Sequence, residues 1–118
     1  MKLLVVDDNP DILELLSSAL RLCGHAVDTA RDGVDAVNLQ LNNRYDIILT
    51  DADMPRMDGF KLCQFIKRQF PDILLIGMSG TWDEKTFRDA GADLCLCKPF
   101  RIGDLQHAIM EAHSAKTT

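Results

Sequence analysis

No excess of positive charge, no long apolar run and no recurring metal-ligand spacing mark this sequence. Lys plus Arg number 13 against 18 Asp plus Glu, a net charge of −5. That balance argues against a domain that holds nucleic acid by neutralising phosphates, which needs a basic surface. The apolar stretches fall far short of the roughly 18 residues that a membrane helix requires. The opening Met1-Lys2-Leu3-Leu4-Val5-Val6-Asp7-Asp8 reaches two carboxylates too soon for a secretory signal. A soluble, cytoplasmic chain without a membrane partner is therefore expected. Linkers, repeats and low-complexity tracts are also lacking, and 118 residues suit one domain spanning 1–118.

Cysteine is present but sparse. Cys23, Cys63, Cys95 and Cys97 could form two disulfides, yet no signal supports an oxidising compartment. Cys95 and Cys97 would share one face of a strand, as a metal pair requires, but no His or Cys follows at ligand spacing. Buried, reduced thiols are the expectation for all four.

What the sequence does have is alternation. Leu3–Val6, His25–Ala30, Asp46–Thr50, Ile73–Met78 and Leu94–Cys97 read as short strands. Between them lie helix-period segments. Asn9-Pro10 caps a first helix whose apolar positions are Ile12, Leu15, Leu16, Ala19, Leu20 and Cys23, with Gly24 as the stop. Asp32-Gly33 opens a second, with Val34, Val37 and Leu41 on one face. Gly59–Phe70 gives a third through Phe60, Cys63, Ile66 and Phe70, and Asp83–Ala90 a short polar fourth. Ile102, Leu105, Ile109 and Ala112 mark a fifth, with Ser114–Thr118 expected to fray. Five strand–helix alternations predict an α/β fold, a parallel sheet with helices on both faces.

In such sheets ligands bind beyond the carboxyl ends of the strands. There the sequence puts Asp7-Asp8, Asp51, Ser79-Gly80 and Lys98-Pro99. Three carboxylates brought together repel one another unless a cation joins them, and an oxygen-only set suits Mg²⁺. Lys98 adds a point charge matched to a phosphoryl oxygen. Singly, each has a plain alternative: a helix cap for Asp7 or Asp8, a loop start for Asp51, a solvated side chain for Lys98. Their convergence on one edge favours a site.

These residues, with Asp46-Ile47-Ile48-Leu49-Thr50-Asp51, Asp53-Met54-Pro55-Arg56-Met57-Asp58-Gly59, Met78-Ser79-Gly80 and Lys98-Pro99-Phe100, resemble a response-regulator receiver domain of two-component signalling. The resemblance spans nearly the whole chain. It implies a flavodoxin-like (βα)5 three-layer sandwich with strand order 2-1-3-4-5. It implies that Asp51 is the phosphoacceptor and that Asp8 and Asp51 ligate Mg²⁺ directly. Asp7 would act through water, and the Asp53 backbone carbonyl would complete the protein's share. Ser79 and Lys98 would each meet a phosphoryl oxygen, and the Lys98-Pro99 bond would be cis. The partners implied are a sensor histidine kinase or phosphotransfer protein, and a downstream protein target or an output domain outside these residues. No separate substrate turnover is implied.

Two departures stand out. Where receivers usually carry Tyr or Phe three residues before the lysine, this chain has Cys95. The ring of the family moves inward as the hydroxyl residue swings toward the phosphate, so Cys95 alters that switch. Asp53 adds an acid two residues after the acceptor. Trp82, the only tryptophan, either covers apolar surface at the crevice mouth or contacts a partner. Two other functions compete: a receiver-like binding module independent of phosphorylation, and a small phosphatase suggested by Asp51-Ala52-Asp53.

Overall fold

The computed structural model describes residues 1–80 and 84–117, with side chains placed through residue 114. Strands β1 (Lys2–Val6), β2 (Ala26–Ala30), β3 (Ile47–Asp51), β4 (Leu74–Ser79) and β5 (Leu94–Cys97) form one parallel sheet in the order β2-β1-β3-β4-β5. The chain is a flavodoxin-like three-layer sandwich, as the alternation and the resemblance imply. β1, β3 and β4 are the inner strands, and their uninterrupted apolar runs follow from being covered on both faces. Leu3, Val5, Ile47, Leu49, Ile76 and Met78 face one layer, while Leu4, Val6, Ile48 and Leu75 face the other.

Helices α1 (Pro10–Leu22) and α5 (Ile102–Thr117) cover the first face through Leu13, Leu16, Leu20, Leu105 and Ile109. Helices α2 (Gly33–Asn42), α3 (Gly59–Gln69) and α4 (Glu84–Asp89) cover the second through Ala36, Leu62, Cys63, Ile66 and Phe87. The cap of α1 is Asn9, whose side chain accepts from the Asp11 and Ile12 amides, with Pro10 in the first turn. Neither Asp7 nor Asp8 is spent on that task.

Several sequence expectations shift. The buried face of α1 is Leu13, Leu16, Ser17 and Leu20, and Leu15 is 60% exposed. Ser17 is small enough to turn inward, donating to the Glu14 carbonyl, so the face is rotated from the one the apolar positions suggest. In α2 the buried positions are Gly33, Ala36 and Gln40, and Leu41 is exposed. Small residues let this helix approach: a side chain at Gly33 would meet Met57 at 2.6 Å. Of the cysteines only Cys63 is buried, Cys95 is half-buried, and Cys23 and Cys97 are exposed; all four are free thiols. Burial pushes the Cys63 thiol up to about 12. Helix α5 is assigned through Thr117, so the stretch expected to fray begins inside it. Trp82 and the start of the expected Asp83–Ala90 helix lie outside the described residues.

Candidate phosphoacceptor site

The carboxyl-terminal edge of the sheet collects the expected residues from four strands. Asp7 follows β1, and its Oδ1 accepts from the Asn9 amide at 2.9 Å. Asp8 is exposed beside it, and Asp51 ends β3. Oxygens of Asp7, Asp8 and Asp51 lie within 4.8 Å of one another. Lys98, just past β5, reaches across the edge so that its Nζ stands 2.7 Å from Asp51 Oδ1. One ammonium beside three carboxylates leaves a net negative crevice.

Asp7 is 2% exposed, and its Oδ2 has no hydrogen-bond partner among the described residues. Burial holds its carboxyl above the usual range; Asp51 and Asp8 add to the rise, while the Asn9 amide and Lys98 oppose it. A buried, unpartnered carboxylate oxygen next to two further carboxylates is the donor set of a hard cation. The residues present therefore fit Mg²⁺.

Ser79 ends β4, 1% exposed, and its Oγ lies 3.1 Å from Cys95 Sγ. The Lys98 amide donates to the Ser79 carbonyl at 2.7 Å, joining the ends of β4 and β5. The Lys98-Pro99 peptide is cis, as the resemblance implies. Gly80 follows Ser79 on the surface, and Asp53 is exposed in the loop after β3. The structure thus brings together Asp7, Asp8, Asp51 and Lys98, and joins Ser79 to Cys95 one strand away.

Two supports of the site were not singled out from the sequence. Gly59 begins α3 directly behind Asp51: its amide donates to the Ala52 carbonyl at 2.8 Å, and a Cβ there would sit 2.0 Å from the Asp51 carbonyl oxygen. The second is a clamp on the loop after β3. Arg56, at φ 65, takes a left-handed conformation unusual for a non-glycine residue. Its guanidinium binds both oxygens of buried Asp32 at 2.8 and 3.1 Å, and approaches Asp35 at 3.7 Å. Asp32 also caps α2 by accepting from the Asp35 amide, and the Gly33 amide donates to the Met57 carbonyl. Arg56 lies in a stretch that carries the resemblance and Asp32 at the expected start of the second helix, but only the fold brings them together. A groove of about 1060 Å³ at the opposite edge, lined by residues including Lys2, Gln40, Tyr45 and Phe70, contains none of these groups.

Fold and edge together define a flavodoxin-like α/β domain with an acidic crevice suited to a cation and an anion at once. Residues 3–110 match the family described as the response regulator receiver domain. The chain is 36% identical over 112 residues to sensor histidine kinase RcsC of Escherichia coli strain K12, covering 92% of this chain and 12% of that protein. It is 36% identical over 108 residues to response regulator MprA of a Mycobacterium strain (KMS), covering 89% of this chain and 47% of that one. The chain thus spans less than half the length of these curated relatives. Among solved structures, a response regulator receiver domain protein from Clostridium thermocellum superposes with a TM-score of 0.91 at 30% identity, covering 98% of this chain and 96% of that one. The chain belongs to the response-regulator receiver family of two-component systems, a family of signalling modules and not of enzymes that turn over a substrate.

Proposed function

We propose that Asp51 accepts a phosphoryl group from the phosphohistidine of a sensor histidine kinase or phosphotransfer protein, and that the change at this edge is read by a downstream protein or output domain. The observation that carries the proposal is the contact of Lys98 with Asp51 at 2.7 Å beside the unpartnered oxygen of Asp7. An Asp51 oxygen attacks phosphorus while the bond from phosphorus to the histidine nitrogen breaks, and that nitrogen keeps the electron pair. Phosphoryl transfer of this kind is mostly positioning and charge neutralisation. Asp8, Asp51 and the Asp53 backbone carbonyl would hold Mg²⁺, with Asp7 acting through water. When bound, the ion would neutralise charge on the transferring oxygens.

The chain's own groups do the rest. Gly59 keeps the Asp51 main chain against α3, so the acceptor is aligned before the donor arrives. Lys98 pairs with Asp51 in the resting domain and moves its charge to a phosphoryl oxygen afterwards. Ser79 donates its hydroxyl to another. Residues 1–118 act as one receiver domain in this reading, in the cytoplasm and without direct nucleic-acid contact. Among the described residues no helix is long and apolar enough to cross a membrane.

Intact-mass spectrometry after incubation with acetyl phosphate and Mg²⁺ tests this. The parent chain is expected to gain one phosphoryl group, lost without Mg²⁺ and lost in Asp51→Asn. A parent chain that binds Mg²⁺ yet gains none would favour the phosphorylation-independent module instead.

A further inference from the structure

A helix laid on a sheet keeps one apolar stripe inward and polar residues outward. Helix α1 has more apolar residues than that stripe uses. Leu13, Leu16 and Leu20 fill it together with Ser17, yet Leu15 is 60% exposed and Leu22 is 90% exposed. Seven positions, or two helical turns, separate these two leucines, so they project from one line along the outer surface. Between them exposed Ser18 and half-buried Ala19 form a hollow of small side chains, and half-buried Ile12 lies one turn before Leu15. The outer face thus carries two knobs and two places to seat them.

The pattern reads the same from either end, because Ile12, Leu15, Ala19 and Leu22 are spaced three, four and three. Turned end for end about an axis at the level of position 17, a second α1 sets its Leu22 against Ile12 and its Ala19 against Leu15. Charge selects the same direction. Asp11 and Glu14 occupy the first half of the helix and Arg21 its last turn. Glu14 and Arg21 stand two turns apart on one flank. An antiparallel neighbour brings Arg21 to Glu14 at both ends, whereas a parallel one opposes like charges. Arg21 is held on that flank by its Nη2, which donates to the Val27 carbonyl at 2.8 Å, and its other nitrogens have no partner among the described residues.

We propose that the outer face of α1 docks a second copy of this chain: two α1 helices pair antiparallel through Leu15 and Leu22, with Glu14 facing Arg21 across a twofold axis. The interface is isologous, so every contact is made twice. It does not depend on the phosphoacceptor reading above. Four leucines and their surroundings would bury about 1,000 Å² in all, the lower end for a specific interface, so the dimer exchanges with the monomer.

Sedimentation velocity of the full chain tests this from about 10 µM to about 1 mM, the range in which so small an interface associates. The average mass is expected to rise from one chain toward two as concentration increases. Leu15→Ser and Leu22→Ser change exposed positions, so helix content by circular dichroism should hold while each weakens association about tenfold. Glu14→Arg is expected to weaken association as well, and Arg21→Glu added to it to restore the pair with its charges exchanged. A parent that stays monomeric throughout would overturn the pairing and leave this face to a helix of a different protein. A dimer indifferent to both leucine changes would overturn it too, since another surface would then be in use. The antiparallel arrangement would be overturned by a Glu14→Arg chain that associates as the parent does. It would also be overturned by a double variant that keeps the parent's helix content without regaining association.

Discussion

Asp7 and Asp32 follow adjacent strands at the same edge of the sheet, and both are almost fully buried. Their circumstances are opposite. The Arg56 guanidinium grips Asp32 through two hydrogen bonds and holds its carboxyl below the usual range, with the Asp35 amide helping and burial opposing. Asp7 is pushed up by burial, faces Asp51 and Asp8, and keeps one oxygen without a partner. An acid of the first kind is a finished structural joint. An acid of the second kind is maintained at a cost to stability, and such sites are where function is found.

Adding a cation that the carboxylates of Asp7, Asp8 and Asp51 fit should give the largest effect. Mg²⁺ at a hundredfold excess over its dissociation constant adds about 2.7 kcal/mol to stability. Thermal denaturation with and without the ion reads this, and Asp8→Asn with Asp51→Asn should abolish it. An equal shift in the double variant would mean that the ion binds elsewhere, and the contrast between the two aspartates would lose its functional meaning.

Breaking the finished joint comes next. Asp32→Ala removes the α2 cap and should cost about 1–2 kcal/mol on that account alone, measured by urea denaturation. It also leaves Arg56 in its left-handed conformation without the ion pair that holds it, so the loop after β3 should exchange its amides faster. A variant as stable as the parent would show that the clamp holds nothing.

The smallest effect has the opposite sign. Asp7→Asn should raise stability in the absence of Mg²⁺ by about 1 kcal/mol, within the usual range for relieving a functional site. Because folding raises the Asp7 pKa, the native state keeps a proton that the unfolded chain has lost. Its contribution to stability therefore falls as pH rises from 3.8 through the raised value, and is level beyond it. Asp32 runs the other way: its contribution is present above 3.8 and disappears as pH falls through its depressed value. The gain from Asp7→Asn should therefore grow with pH across the Asp7 window. A gain that is flat with pH would count against burial as the cause.

This contrast also marks how far the sequence could be read. Asp7, Asp8, Asp51 and Lys98 were legible because each sits at the end of an apolar run, and strand ends converge wherever the sheet is parallel. The pairing of Asp32 with Arg56 was not, since a left-handed arginine has no local signal and its partner is brought in by the packing of α2. Helix faces were legible only in part. Apolar periodicity found α5 correctly, but it assigned Leu15 and Leu41 to the core. The positions actually buried include Ser17, Gly33 and Ala36, chosen for size and close approach, which hydrophobicity does not report. Cys97 was expected to be buried because its neighbours are apolar, yet it ends an edge strand and is exposed.

The hydrogen bond from the Lys98 amide to the Ser79 carbonyl has a mechanical consequence. The two residues proposed to grip separate phosphoryl oxygens are jaws mounted on one hinge pin. A motion that parts β4 from β5 opens both jaws together, and one that seats either brings the other into line. Grip on the anion should accordingly be gained or lost as a unit. Levering the end of β5 outward would loosen both contacts at once without touching Asp51.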